Sequence, residues 1–187
     1  MNPTTYQSRW LAVIDQTSKN FQQAFDGLSH EQLNWKPEPH TWSVAQNLEH
    51  LLITNASFFP VIEGIRAGTH KVPWLFSRSF LVKFNEKMIL NYVSPDRRKR
   101  SKTAPIWVPS QSEIEGDILG IFLQEQEKLK ELIAASQDLI VIGTLITSPF
   151  SKFIVYHLET AFDIMVTHEQ RHFFQAKEVA DQLLQRA

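Results

Sequence analysis

Two of the chain's seven histidines, His168 and His172, stand four residues apart in a segment, FDIMVTHEQRHFFQAKEV, that contains neither proline nor glycine and reads as helix on both sides. A spacing of four on a helix stacks side chains one turn apart on one face, the geometry in which two imidazoles can share a metal ion. Seven histidines in 187 positions would produce such a pair in roughly one chain in four or five, so the pair gains meaning only with a third ligand. His50 is the candidate: it lies mid-helix in WSVAQNLEHLL beside Leu48, Leu51 and Leu52, surroundings that would equally suit a hydrogen-bonded core histidine. His157 precedes His168 by eleven residues. On a continuous helix that is ~16 Å along the axis, too far to share the ion. His30, His40 and His70 fall in turn-rich or irregular stretches, where surface positions are expected.

Three neutral imidazoles would leave an ion's double charge uncompensated and coordination positions open, as in catalytic rather than structural metal sites. Such an ion lowers the pKa of a bound water to ~7, or takes up a thiol as its thiolate. Cysteine is absent, which excludes disulfides, thiolate zinc sites, iron–sulfur clusters and a cysteine nucleophile. The nucleophile is therefore expected to be an external thiol or water, with no protein nucleophile. Gln175 lies three residues after His172, on the same face, where it can orient water or substrate or simply sit as a polar residue at the bundle end. Asn47 and Gln46 precede His50 by three and four residues and can buttress the ligands, although Gln46 also completes a capping box with Ser43. Arg171 is a candidate flanking cation for a carboxylate-bearing substrate. For both Arg171 and its neighbour Glu169 the plainer reading is a solvated salt bridge.

Helices must position these residues. A first amphipathic helix is expected from about Thr4 to Phe25, and a second starts at Ser43-Val-Ala-Gln46 and weakens at Pro60 to Gly64. Between them Ser29-His-Glu-Gln32 fits a short capped turn. From Ile65 to Pro109 runs a long crossover with four prolines and an aromatic-rich piece, WLFSRSFLVKFNEKMILNY, able to hold a helix of its own. Its aromatics, Trp74, Phe76, Phe80 and Tyr92 with Trp107, are expected in the core or as a lid over the site. A third helix is expected to begin near Ser110 to Ser112 and run past Ile133, followed by an apolar connector from Leu139 to Pro149. A fourth should run from about Lys152 nearly to the end. With no convincing strand pair, the pattern predicts an all-α four-helix bundle in one domain over residues 1–187, with helices two and three made parallel by the crossover.

The motif WS-x-x-Q-x-L-x-H-L at Trp42 to Leu51, followed by H-E-x-R-H-x-x-Q at His168 to Gln175, resembles the DinB/YfiT-like superfamily of small four-helix-bundle proteins. The likeness spans nearly the whole chain, including the lead-in LSHEQLNWKPEPHTWS. It implies an up-down-down-up bundle, a metal triad of His50, His168 and His172, and one divalent ion such as nickel or zinc. It further implies a homodimer and an activity like that of the family's bacillithiol and mycothiol S-transferases or mycothiol-dependent maleylpyruvate isomerases. The expected function is thus metal-dependent transfer of a low-molecular-weight thiol to an electrophile. A hydrolase using metal-bound water and a non-catalytic metal- or small-molecule-binding stress-response module are the alternatives.

Composition bounds the partners. Lys and Arg number 19 against 20 Asp and Glu, with 43% apolar residues and a pI near 6.7, ordinary for a globular chain. A near-neutral balance argues against bulk attraction to nucleic acid or a membrane surface, and the partner expected is a small-molecule substrate. The basic run DRRKRSK, Asp96 to Lys102, reads as a solvated loop. The start of the sequence lacks a secretory pattern, and the longest apolar run, LIVIGTLI, falls far short of the ~20 residues of a spanning helix. These features lead us to expect a cytoplasmic protein.

Overall fold

The computed structural model describes residues 3–96, 103–111 and 113–186. Its elements in chain order are α1 (Pro3–Phe25), α2 (His30–Asn34), α3 (Val44–Arg66), α4 (Ser79–Val93), a 3-10 turn (Pro105–Trp107), α5 (Ile118–Ala135), α6 (Gln137–Val141), β1 (Leu145–Ser148), β2 (Ser151–His157) and α7 (Leu158–Leu184). Helices α1, α3, α5 and α7 form the bundle, in which α3 and α1 each pack against both α5 and α7.

The core divides into two clusters, and their membership fixes the helix directions. One joins Trp10 and Ile14 from early α1 to Phe58 and Ile62 from late α3, Leu129 and Ile133 from late α5, and Phe162 and Met165 from early α7. The other joins Phe21 and Phe25 of late α1 to Val44 and Leu48 of early α3, Phe122 of early α5, and Ala176 and Val179 of late α7. Helices α1 and α7 therefore run one way and α3 and α5 the other, the up-down-down-up order with α3 parallel to α5. Both capping boxes form: Ser29 and Ser43 each accept from the backbone N–H three residues on, while Gln32 and Gln46 reach back to the cap.

Three expected boundaries move. Helix α5 does not begin at Ser110: Gly116 takes φ +77°, and Asp117 caps the helix by accepting from the Gly120 N–H at 2.8 Å. Ser110 is tied instead to α3, its N–H donating to Glu49 Oε2 at 2.6 Å and its carbonyl accepting from Gln46 Nε2 at 2.6 Å; Ser112 lies outside the described residues. The connector after Leu139 contains α6 and then an antiparallel hairpin, with Ile146 opposite Tyr156 and Thr147 opposite Val155. The β-branched and aromatic run Phe153 to Tyr156 supplies the strand character that the continuous apolar stretch before it conceals. Helix α7 consequently starts at Leu158 rather than Lys152, and His157 stands at its N-cap, outside the helical stripe.

Within the crossover, α4 packs on β2 and α7. Glu86 of α4 does what the His157 side chain does not: its Oε1 accepts from the His157 N–H at 3.1 Å, His157 Nδ1 at 2.7 Å and Thr160 Oγ1 at 3.1 Å, setting a carboxylate at the positive end of α7. Burial alone would raise this carboxyl, but those bonds hold it below its ordinary value. Trp74 and Phe80 join neither core nor lid; they are 70% and 69% exposed. Of the basic run only Asp96 is among the described residues. Among those residues no helix is long and apolar enough to cross a membrane.

A polar group crosses the interior among the apolar clusters: Asn55 on α3, Glu125 and Gln126 on α5, and Glu169 on α7. Glu169 Oε1 accepts from Asn55 Nδ2 at 2.7 Å and Gln126 Nε2 at 2.9 Å, and burial raises the Glu169 carboxyl to about 7 against the pull of those two bonds. Burial also raises Glu125 to about 7, with the neighbouring Glu169 charge adding to the effect while Lys128 and Asn55 oppose it. A carboxyl whose folded pKa lies above the 4.5 of the free group favours the folded state when protonated, and that stability is lost as pH rises toward 7. Glu125→Gln should therefore raise the melting temperature by about 2–4 °C above neutral pH and change it little at about pH 4, as scanning calorimetry at the two pH values will show.

Candidate metal centre

His50 comes from α3 and His168 and His172 from the antiparallel α7, so two helices that touch along their length supply all three rings. One coordinating atom of each lies within 4.8 Å of the others. His168 Nε2 is 3.3 Å from His50 Nε2 and 3.0 Å from His172 Nε2. Nitrogens bound at ~2.0–2.1 Å to one ion stand ~3.0 Å apart at a right angle and ~3.4 Å apart at the tetrahedral angle. Two of the three separations already match those of a coordination sphere.

Hydrogen bonding decides which nitrogens face inward. His50 Nδ1 lies 2.7 Å from the Trp107 carbonyl oxygen, which can only accept, so this nitrogen carries the proton. His172 Nδ1 lies 2.8 Å from Asn47 Oδ1, and the Asn47 amide is fixed by its own donation to the Ser43 carbonyl at 2.9 Å. In the neutral rings both Nε2 atoms thus present lone pairs toward His168 Nε2, which has at most one proton to offer one of them. A cation is the group that satisfies all three. Trp42 closes one side, its ring 4.9 Å from that of His50 and stacked on His172 at 5.9 Å.

Burial keeps the rings neutral. It lowers His50 to about 4 despite the opposing bond to Trp107. His168 and His172 are held well below 6.5, first by burial and then by the neighbouring imidazoles and Arg171. The donor set is therefore uncharged and suits a borderline divalent ion.

Of the other expected participants, Asn47 bonds the His172 ring, and Gln46 is occupied by its cap and by Ser110. Gln175 and Arg171 line the cavity that opens over the triad. Neither Glu169 nor Arg171 is a solvated surface residue. Glu169 is fully buried in the polar group described above, and Arg171, 8% exposed, donates from Nη1 to the Tyr92 and Ser94 carbonyls at 2.8 and 3.3 Å. His30 bonds the Ile114 carbonyl, His70 Nε2 accepts from the Thr147 N–H, and His157 is held by Glu86, so none joins the triad. The contribution of Trp107 was not legible, because a backbone carbonyl leaves no trace in residue type.

A family model for the DinB superfamily matches residues 14–176, a span that contains all three histidines. The chain belongs to the DinB superfamily. No curated protein and no solved structure matches it. Membership and a buried three-histidine site fit a metal-dependent function.

Tag-free protein is expected to carry close to one divalent ion per chain by mass spectrometry, and His168→Ala to lose most of it. Asn47→Ala should weaken metal affinity by ~10–100-fold in a competition titration, because the His172 ring loses the acceptor that fixes it. Unchanged affinity would show that this ring is oriented by something else.

Proposed function

We propose that this DinB-superfamily protein is a metal-dependent transferase that activates a low-molecular-weight thiol and joins its sulfur to an electrophilic carbon of a second substrate. The observation that carries the reading is the cavity of about 1370 Å³ in which the triad stands. Its volume exceeds the ~300–1,000 Å³ of a pocket for one small ligand, which favours two reactants. Toward the start of α7 its walls are apolar, with Phe58, Met88, Ile89 and Ile154. Toward the end of α7 polar side chains, Glu38, His40, Gln175, Glu178 and Gln182, join Phe174 and Val179 in the walls. The histidines lie between. A hydrophilic thiol fits the second end and an apolar electrophile the first.

A divalent ion on the three imidazoles, such as the nickel or zinc that the family resemblance implies, would supply the charge that keeps a thiol ionised near neutral pH. The protein's own part is to place and to shield. The Trp107 carbonyl and Asn47 hold the lone pairs of His50 and His172 inward; Gln175, in the cavity wall, would bond the polar body of the thiol, and Phe58 and Trp107 would exclude water from the apolar end. In the transfer the S–H bond breaks and its proton passes to water at the polar end. The sulfur lone pair forms the new S–C bond, and the electrophile's leaving group departs with the electrons of the bond that breaks. A chain without cysteine forms no mixed disulfide with such a thiol.

The test mixes metal-loaded protein with bacillithiol, mycothiol, glutathione or coenzyme A and a chromogenic aryl halide. A thiol-dependent rate above that of metal-free protein, abolished in His168→Ala, is expected. No such rate with any of the thiols would overturn the proposal, and ester hydrolysis without added thiol would assign the nucleophile to water.

A further inference from the structure

Helix α4 turns Val82 and Val93 inward and leaves Phe80 and Phe84, four residues apart, on its outer face at 69% and 64% exposure. Trp74 and Leu75 just before the helix are 70% and 53% exposed. Phe153 on β2, the strand against which α4 packs, is 54% exposed. Together these side chains leave on the order of 600 Å² of apolar surface in water, the upper end of what a monomer shows.

Cations frame the patch. Lys71, Arg78, Lys83, Lys87 and Lys152 are all exposed, and among the described residues none is paired with a carboxylate. The Arg78 guanidinium lies 5.2 Å from the Trp74 ring and the Lys152 ammonium 5.4 Å from that of Phe153. Glu86, the acid within α4, is turned inward onto His157 and Thr160. The near-neutral total conceals this segregation: Lys71 to Lys87 holds four Lys and Arg and a single acid, Glu86.

We propose that this face docks on a membrane surface that carries anionic lipid headgroups. Exposed Trp and Phe among Lys and Arg, on a helix lying flat against the protein, are what such an interface takes up: rings at the acyl boundary, cations at the headgroups. A second copy on the same face would set five cations against five with no acid between them. A nucleic acid would engage the cations but leave Leu75, which offers no stacking plane, in water.

Sedimentation of the full chain with vesicles tests this. Binding to phosphatidylcholine containing about a third phosphatidylglycerol is expected to exceed binding to pure phosphatidylcholine by ~10-fold or more and to fall with salt. The pairs Lys83→Glu with Lys87→Glu, and Phe80→Ser with Phe84→Ser, should each weaken it by ~10-fold with unchanged melting temperature, since these side chains lie outside the core. Equal binding to both vesicles, binding to neither, or full binding by the charge-reversed variant would overturn the proposal. So would a dimer in light scattering that Phe80→Ser with Phe84→Ser dissociates, or displacement from vesicles by an oligonucleotide that binds more tightly through the same residues.

Discussion

A buried imidazole must place its N–H on an oxygen, and this requirement ties the site to three separate parts of the chain. Asn47, on α3, orients His172 on α7, while the Trp107 carbonyl, from the crossover, orients His50. An unpartnered polar group in such an interior costs ~1–3 kcal/mol, so these bonds select one arrangement of the helices as well as one tautomer of each ring. The inward lone pairs are the residue of that selection. Placing them costs stability that apolar side chains at the same positions would have supplied, a sign that the positions serve chemistry rather than the fold.

The crossover between α3 and α5 acts as a fastening. Topologically it has only to return the chain to the far end of the bundle so that α5 can run parallel to α3. On the way it delivers a carbonyl to His50, a carboxylate to the start of α7, and, at Ser110, a backbone N–H and carbonyl to Glu49 and Gln46 of α3. Each joins the crossover to an element that also bears a histidine of the triad. The Trp107 wall of the cavity is held by the same bond that orients His50, and the α4 wall, Met88 and Ile89, by the bonds of Glu86 to His157 and Thr160.

What the sequence disclosed follows the range of the forces involved. Spacing along a helix placed His168 and His172 on one face, and local cap chemistry marked the starts of α2 and α3, because both are decided within a few residues. The start of α5 was missed because two serines imitated a cap, whereas Gly116 in a left-handed conformation and Asp117 set the boundary. The hairpin was missed because a continuous apolar run has no period to read, and its strand character appears only when Ile146 finds Tyr156 across the turn. Glu169 looked like a surface acid beside its ligand neighbour. Its burial depends on Asn55 and Gln126, which lie 114 and 43 residues away along the chain.

That distance matters for the order of assembly. His50 and His168 are separated by 118 residues, so the contact between them has high contact order and forms only after α7 has closed against α3. While the chain is being made, at ~5–20 residues per second, His50 waits several seconds for its partners, offering a lone imidazole that binds metal weakly. The complete triad appears with the finished bundle. Any loading with metal would thereby be coupled to successful folding, and an ion taken up at that point would stabilise the native state by mass action, holding shut the pair of helices that completed the site.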